Sequence, residues 1–304
     1  MSTLINLMIK IILLVSLGWG LKKAGVINDE LQKGISSLLM TAVLPLNILA
    51  SSCQELTKEY INGTVLTVIF SVIYYVGTIV IMTILSKPMH VNEKQKKLII
   101  TMSVFANTGF IGFPLVEEMF GSSCMIYAVI YNLFYNLFFY TYGVYLLSND
   151  GKANVKMVLK TPVTVSSFLA VVIFWGQIPL PEVVISTFST VGAMTVPLSM
   201  IIIGCTLADM RLIEVLKDKQ AYLVSALRLV VFPAVAFVVF KLLGVSGNVA
   251  GICVLITALP SGSLNVIVAQ QQDCEPEFAG RAVVQSMVFM VVTLVGVFWG
   301  IQRL

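Results

Sequence analysis

The amino-acid sequence predicts an all-α polytopic membrane protein of ten transmembrane helices, arranged as two inverted five-helix repeats with the fourth and ninth helices broken. Three observations lead there. Of the 304 residues, 58% are hydrophobic and 11% are charged, less than half the charge that covers a soluble globule. The apolar residues gather into runs of about 17–25 between charged or turn-rich breaks, the length that crosses a bilayer. Motifs in the second and fourth runs return, at one offset, in the seventh and ninth. Neither a water-soluble enzyme nor a disordered or fibrous chain fits such a composition.

The runs fall at 3–21, 34–51, 62–86, 98–119, 123–147, 161–178, 183–207, 220–243, 249–271 and 278–302. The first carries its basic pair, Lys22 and Lys23, after the apolar stretch. That is the reverse of a cleavable signal peptide, so the segment is expected to stay as a span. With the first helix starting outside, the cytoplasmic loops collect Lys22, Lys23 and Lys33; Lys87, Lys94, Lys96 and Lys97; Lys152, Lys156 and Lys160; Arg211, Lys217 and Lys219; and Arg281. These are 14 of the 19 basic residues. The positive-inside bias therefore predicts a multi-pass protein of the cell inner (plasma) membrane with both termini outside. The largest polar breaks, 87–97 and 148–161, are too short to be soluble domains, so function is expected inside the helix bundle or at its mouths. The five cysteines (Cys53, Cys124, Cys205, Cys253 and Cys274) are widely spaced with no CxxC pair. They read as small core residues, not a disulfide frame or metal site.

The repeat divides the chain at 1–150 and 151–304. TAVLPLNILA at 41–50 matches AMTVPLSMII at 193–202, so Pro45-Leu46-Asn47 falls on Pro197-Leu198-Ser199 at an offset of 152, and the same offset carries Ala106 onto Ala258. Five helices separate equivalent positions, an odd number, so the second repeat is inverted. Near Ala106 and Ala258 both helices are interrupted, by NTGFIGFP at 107–114 and PSGSLN at 260–265. Gly and Pro there free backbone groups that cannot face lipid but can line a wet cavity or touch a ligand. Interruptions in corresponding helices of two halves mark a transport site, and half-helix N-termini at the midplane favour an anion. The plainer account, kinks and close packing, suits one such helix better than a matched pair.

GWGLKKAGVI at 18–27, LPLNILAS at 44–51, FANTGFIGFPL at 105–115, VPLSMIIIGCTLAD at 196–209 and TALPSGSLNVIVA at 257–269 resemble the auxin efflux carrier family, which holds plant auxin exporters and bacterial organic-acid permeases. The resemblance covers the whole chain. It implies an architecture similar to bile acid sodium symporters, with scaffold and transport domains each formed from both repeats. It further implies crossing of the broken helices 4 and 9, elevator-like movement of the transport domain, and a homodimer. Plant members carry a long loop between the fifth and sixth helices; here it is short, which favours dicarboxylates such as malate or malonate over auxin as substrate.

Asn107 offers a carboxamide to a carboxylate or to a bound cation, and Thr108, Gly109 and Gly112 let backbone amides approach a ligand. Pro260, Ser261, Gly262, Ser263 and Asn265 play the corresponding parts on the partner helix. The alternative for Asn107 and for the 260–262 segment is inter-helix bonding that locks the crossing. Asn47 and Ser199 share a repeat position and either line the site or pack. Asn132 and Asn136, at i and i+4 on the fifth helix, stand near the cavity, while the tyrosines around them suit an interfacial belt equally well. Lys10 and Arg228, basic residues inside apolar runs, are candidates for offsetting an anion's charge. Arg228 alternatively snorkels, since Gln220 at the cytoplasmic end lies only about 12 Å along the helix.

No carboxylate lies near the middle of a span; Glu117, Glu118, Asp209 and Glu214 stand at helix ends. This disfavours a proton relay built on a midplane acid. Sodium coupling through carbonyls and hydroxyls at the interruptions stays open. An enzyme is not expected: the single histidine, His90, is in a loop, and the chain has no HExxH, paired midplane carboxylates or serine–histidine arrangement. The reading is therefore a secondary transporter of small organic anions in a lipid bilayer, with no cofactor and no nucleic-acid partner. A sodium-coupled symporter of another solute and an anion channel are the alternatives.

Overall fold

The computed structural model describes residues 2–148, 160–209 and 215–304. The break at 149–159, with Lys152 and Lys156, and the Arg211 and Glu214 positions lie outside the described residues. Helices are α1 (Ser2–Lys23), α2 (Asp29–Ala50), α3 (Lys58–Ser86), α4 (Glu93–Val104), α5 (Phe113–Phe120), α6 (Ser122–Leu147), α7 (Pro162–Gly176), α8 (Glu182–Asp209), α9 (Lys219–Leu242), α10 (Asn248–Thr257), α11 (Ser263–Gln271) and α12 (Pro276–Ile301). No strand occurs among the described residues. Among the described residues six helices (α2, α3, α6, α8, α9 and α12) are long and apolar enough to cross a membrane, and α7 and α10 are shorter apolar helices. Where single fourth and ninth spans are expected, the chain forms pairs of short helices, α4 with α5 and α10 with α11.

Prolines shape several helices in the same way. The stretches Leu39–Val43, Thr108–Gly112 and Leu227–Val231 are wide π-turns, and each ends two residues before a proline: Pro45, Pro114 and Pro233. A proline has no N–H to give, and its ring pushes away the carbonyl four residues back. The chain answers by widening to bonds five residues apart, as from Leu44 N to Leu39 O and from Phe232 N to Leu227 O. A fourth π-turn, Phe139–Gly143, has no such proline.

The chain forms two compact units, each built from three stretches and each drawing on both halves of the sequence. The first comprises Met1–Thr64, Gly109–Leu133 and Leu159–Met210. Its closest contact is α1 against α8 at Gly18 and Gly204, where a Cβ on either glycine would run into backbone of the facing helix. Leu39, Val43 and Ile202 form a buried cluster, against which Ile35, Phe110, Val191 and Leu198 pack. Tyr60 stacks on Tyr127, with ring centroids 5.9 Å apart, and meets Phe174 edge-on.

The second unit comprises Val65–Thr108, Phe134–Val158 and Arg211–Leu304. Ala236, Phe240, Ala250, Cys253 and Val254 are buried together, and an aromatic run of Tyr75, Phe105, Tyr135 and Phe139 fills the interior beside the break after α4. Polar side chains buried in this unit are tied to neighbouring helices: Gln285 of α12 donates to Val215 O and accepts from Ser225 Oγ.

Candidate functional site

The chain leaving α4 and the second interruption meet inside the second unit. Helix α4 ends at Val104, and Phe105 turns to extended backbone with φ −100° and ψ 109°. Ala106 and Ser261 form an antiparallel β-bridge, closed by Asn107 N donating to Pro260 O at 2.8 Å and by Gly262 N donating to Phe105 O at 2.9 Å. Backbone groups released by both breaks thus satisfy one another, as buried polar groups in an apolar medium must. Gly262 is required for this approach: a Cβ there would stand 2.8 Å from Ala106 O and 3.1 Å from the Tyr135 hydroxyl.

Side chains tighten the bridge. Ser261 Oγ donates to Met102 O at 2.8 Å, and Ser286 Oγ accepts from Ser261 N at 3.1 Å. Asn107 Nδ2 reaches Ser263 Oγ at 3.2 Å, and Asn265 Nδ2 donates to Gly262 O and Phe105 O at 3.0 and 3.3 Å. Asn265 is fully buried, and its Oδ1 has no hydrogen-bond partner among the described residues. No side chain caps the first turn of α11, whose N-cap is Gly262.

Arg228 does not snorkel. It is fully buried, and its guanidinium gathers the carbonyls that the breaks strand at the C-terminal ends of α4 and α10. Nη1 lies 3.2 and 3.1 Å from Ser103 O and Val104 O and 2.6 Å from the Tyr74 hydroxyl. Nε lies 3.1 Å from Leu259 O and Nη2 3.5 Å from Ile256 O. A cation at two helix C-termini meets two negative dipole ends at once, which offsets its desolvation without a carboxylate.

The predicted residues divide between the two units. Asn107, Thr108, Pro260, Ser261, Gly262, Ser263, Asn265, Asn136 and Arg228 belong to the second; Gly109, Gly112, Asn47, Ser199, Asn132 and Lys10 belong to the first. In the first unit Asn47 Nδ2 donates to Glu117 Oε2 at 2.8 Å and to Thr195 Oγ1 at 3.1 Å. Ser199, fully buried, bonds back to Val196 O of its own helix at 3.0 Å. Lys10 pairs with Glu118 at 2.6 Å. Asn132 and Asn136 are buried in α6. Sequence reasoning passed over Tyr74 and Thr195, and took Glu117 only as a helix-end carboxylate. A signal for Tyr74 was available: a tyrosine hydroxyl at the centre of a span, away from the interfacial belts, needs a buried partner.

A family model described as membrane transport protein, which takes in the auxin efflux carriers, matches residues 3–160 and 152–298. The chain belongs to this family. Two relatives agree with it over nearly their full lengths. An uncharacterized transporter of Methanocaldococcus jannaschii is 23% identical over 306 residues, covering 95% of this chain and 96% of the relative. An uncharacterized transporter of Methanothermobacter thermautotrophicus is 27% identical over 292 residues, 94% of each. The auxin efflux carrier family is one of membrane transporters and not of enzymes, and its multi-pass character agrees with the long apolar helices.

Proposed function

We propose that this protein is a secondary carrier of small organic anions, and that the substrate binds where the two broken helices pair. The Ala106–Ser261 bridge carries this reading. It concentrates Asn107, Ser263 and Asn265 beside an uncapped helix start, while Arg228 occupies the opposite, negative helix ends. With the C-terminal carbonyls already answered by a fixed cation, the positive ends of the half-helices remain to attract a carboxylate. The lone Asn265 Oδ1 suits a ligand with a donor beside its carboxylate, so a hydroxy acid such as malate fits better than succinate.

In this reading the ten apolar runs are ten spans in two inverted repeats, and the unit holding the bridge is the transport domain, which moves in an elevator-like way within a homodimer. Asn136, buried in the same unit, then stands near the site. The membrane is the inner (plasma) membrane, with both termini outside. Neither a cofactor nor a nucleic acid enters the cycle.

The test is uptake of labelled malate, succinate, malonate and indole acetate into proteoliposomes under imposed sodium, proton or voltage gradients. Saturable uptake of malate above succinate, lost in Asn107→Ala protein that remains folded, is expected. Uptake indifferent to that substitution would move the site elsewhere, and flux too fast for a carrier would make the protein a channel.

A further inference from the structure

The second unit carries a groove of about 540 Å³ along α9 and α12, within the size range of small-molecule sites, roughly 300–1,000 Å³. Its walls are apolar except for Thr293, Lys241 and Arg303. Lys241 is the next-to-last residue of α9, and Arg303 stands two residues past the end of α12, so both cations sit at the C-terminal end of the groove. The lining on α9 runs from Leu229 to Lys241, about 18 Å at 1.5 Å per residue, close to the depth of one leaflet of a hydrocarbon core about 30 Å thick.

The basic end is built for the headgroup level. Trp299 is 52% exposed, as tryptophans at the membrane–water boundary are. The Arg303 guanidinium stacks on its ring with 3.3 Å to the centroid, and Lys241 Nζ lies over Phe237 at 5.7 Å. Each cation is thus held by an aromatic wall of the groove, and stacking by its face leaves the guanidinium edge able to donate. No carboxylate among the described residues pairs with either. In the lining, a Cβ on Gly296 would meet nothing within 4 Å. Helix packing therefore does not require this glycine; the missing side chain deepens the groove.

We propose that this groove is a binding site for an anionic phospholipid, with the phosphate at Lys241 and Arg303 and an acyl chain lying along the apolar lining past Gly296. The chemistry separates this occupant from a second copy of the chain. In a two-fold dimer within a membrane the same patches meet at the same depth, which would bring four cations together with no side-chain carboxylate in the lining.

The experiment titrates detergent-purified protein with dioleoylphosphatidylglycerol, dioleoylphosphatidylcholine or inorganic phosphate, and reads thermal stabilisation and lipid retention by native mass spectrometry. Phosphatidylglycerol is expected to bind the unmodified protein about 30-fold more tightly than phosphatidylcholine, the effect of two basic residues acting on anionic lipid. The double substitution Lys241→Gln/Arg303→Gln should abolish that preference. Gly296→Phe should weaken both lipids without lowering lipid-free melting, and inorganic phosphate should do nothing. Equal binding of the two lipids by unmodified protein overturns the proposal, as does a preference that survives the double substitution. Phosphatidylglycerol binding untouched by Gly296→Phe, stabilisation by phosphate alone, or a dimer that Gly296→Phe dissociates would overturn it too.

Discussion

Arg228 Nη1 and the Tyr74 hydroxyl are 2.6 Å apart in the fully buried interior of the second unit, although 154 residues separate them in sequence. Tyr74 supplies the side-chain acceptor in a ring that is otherwise main-chain carbonyl. Replacing Arg228 by Met therefore strands carbonyls of both α4 and α10, each of which costs about 1–3 kcal/mol when left buried and unpaired. Tyr74→Phe removes one charge-assisted bond, worth about 1.5–3 kcal/mol. Melting of the purified variants should fall in the order unmodified, Tyr74→Phe, Arg228→Met; an Arg228→Met protein as stable as the parent would show that the ring holds nothing together.

Gly262→Ala tests the bridge by steric means. The added methyl would meet Ala106 O at 2.8 Å, so the bridge must open or the backbone shift, at about 1–3 kcal/mol. Gly280, inside α12 with nothing within 4 Å of its would-be Cβ, is the control. Alanine there should stabilise by about 0.5–1 kcal/mol through helix propensity. Opposite signs in a melting assay are the expected result.

The crossing of α1 and α8 gives a matching expectation for the first unit. Gly204→Ala places a methyl against the α1 backbone at Val15 and Trp19, and no flexible side chain is there to yield. The two helices must separate, with a loss of about 1–3 kcal/mol or more. Faster hydrogen exchange confined to α1 and α8 would register this separation.

Asn47 and Glu117 should behave as a coupled pair. Their bond of 2.8 Å joins residues 70 apart in sequence, and Thr195 shares the same amide. A double-mutant cycle of Asn47→Ala and Glu117→Ala is expected to return a coupling of about 0.5–3 kcal/mol. Glu117→Gln, which keeps an acceptor oxygen, should retain most of the stability that Glu117→Ala loses.

Much of the architecture was legible in the residues because its causes are local. Run length and the absence of charge over 18–25 residues follow from a solvent that cannot bond to backbone, so the helices are readable from composition within a window. The breaks at 107–114 and 260–265 are legible for the same reason: Pro and Gly act on the turn in which they stand. The π-turns ahead of Pro45, Pro114 and Pro233 obey that local rule, although of the three only Thr108–Gly112 falls where the sequence predicts a break.

The destinations of the buried polar groups were another matter. Lys10 and Arg228 looked alike in sequence, two cations in apolar runs, yet one pairs with Glu118 at 54% side-chain exposure while the other is sealed among helix ends. Asn47 was placed by its repeat position, but its partners are Glu117 and Thr195, on two other helices. The close contact of Gly18 with Gly204 joins residues whose local surroundings say nothing of each other. Propensity, hydropathy and turn chemistry are sums over neighbours in the chain, whereas a buried donor can choose among every stranded carbonyl that packing brings within reach. Which one it meets depends on where helices cross, and that is set by the fit of whole surfaces rather than by any window of sequence.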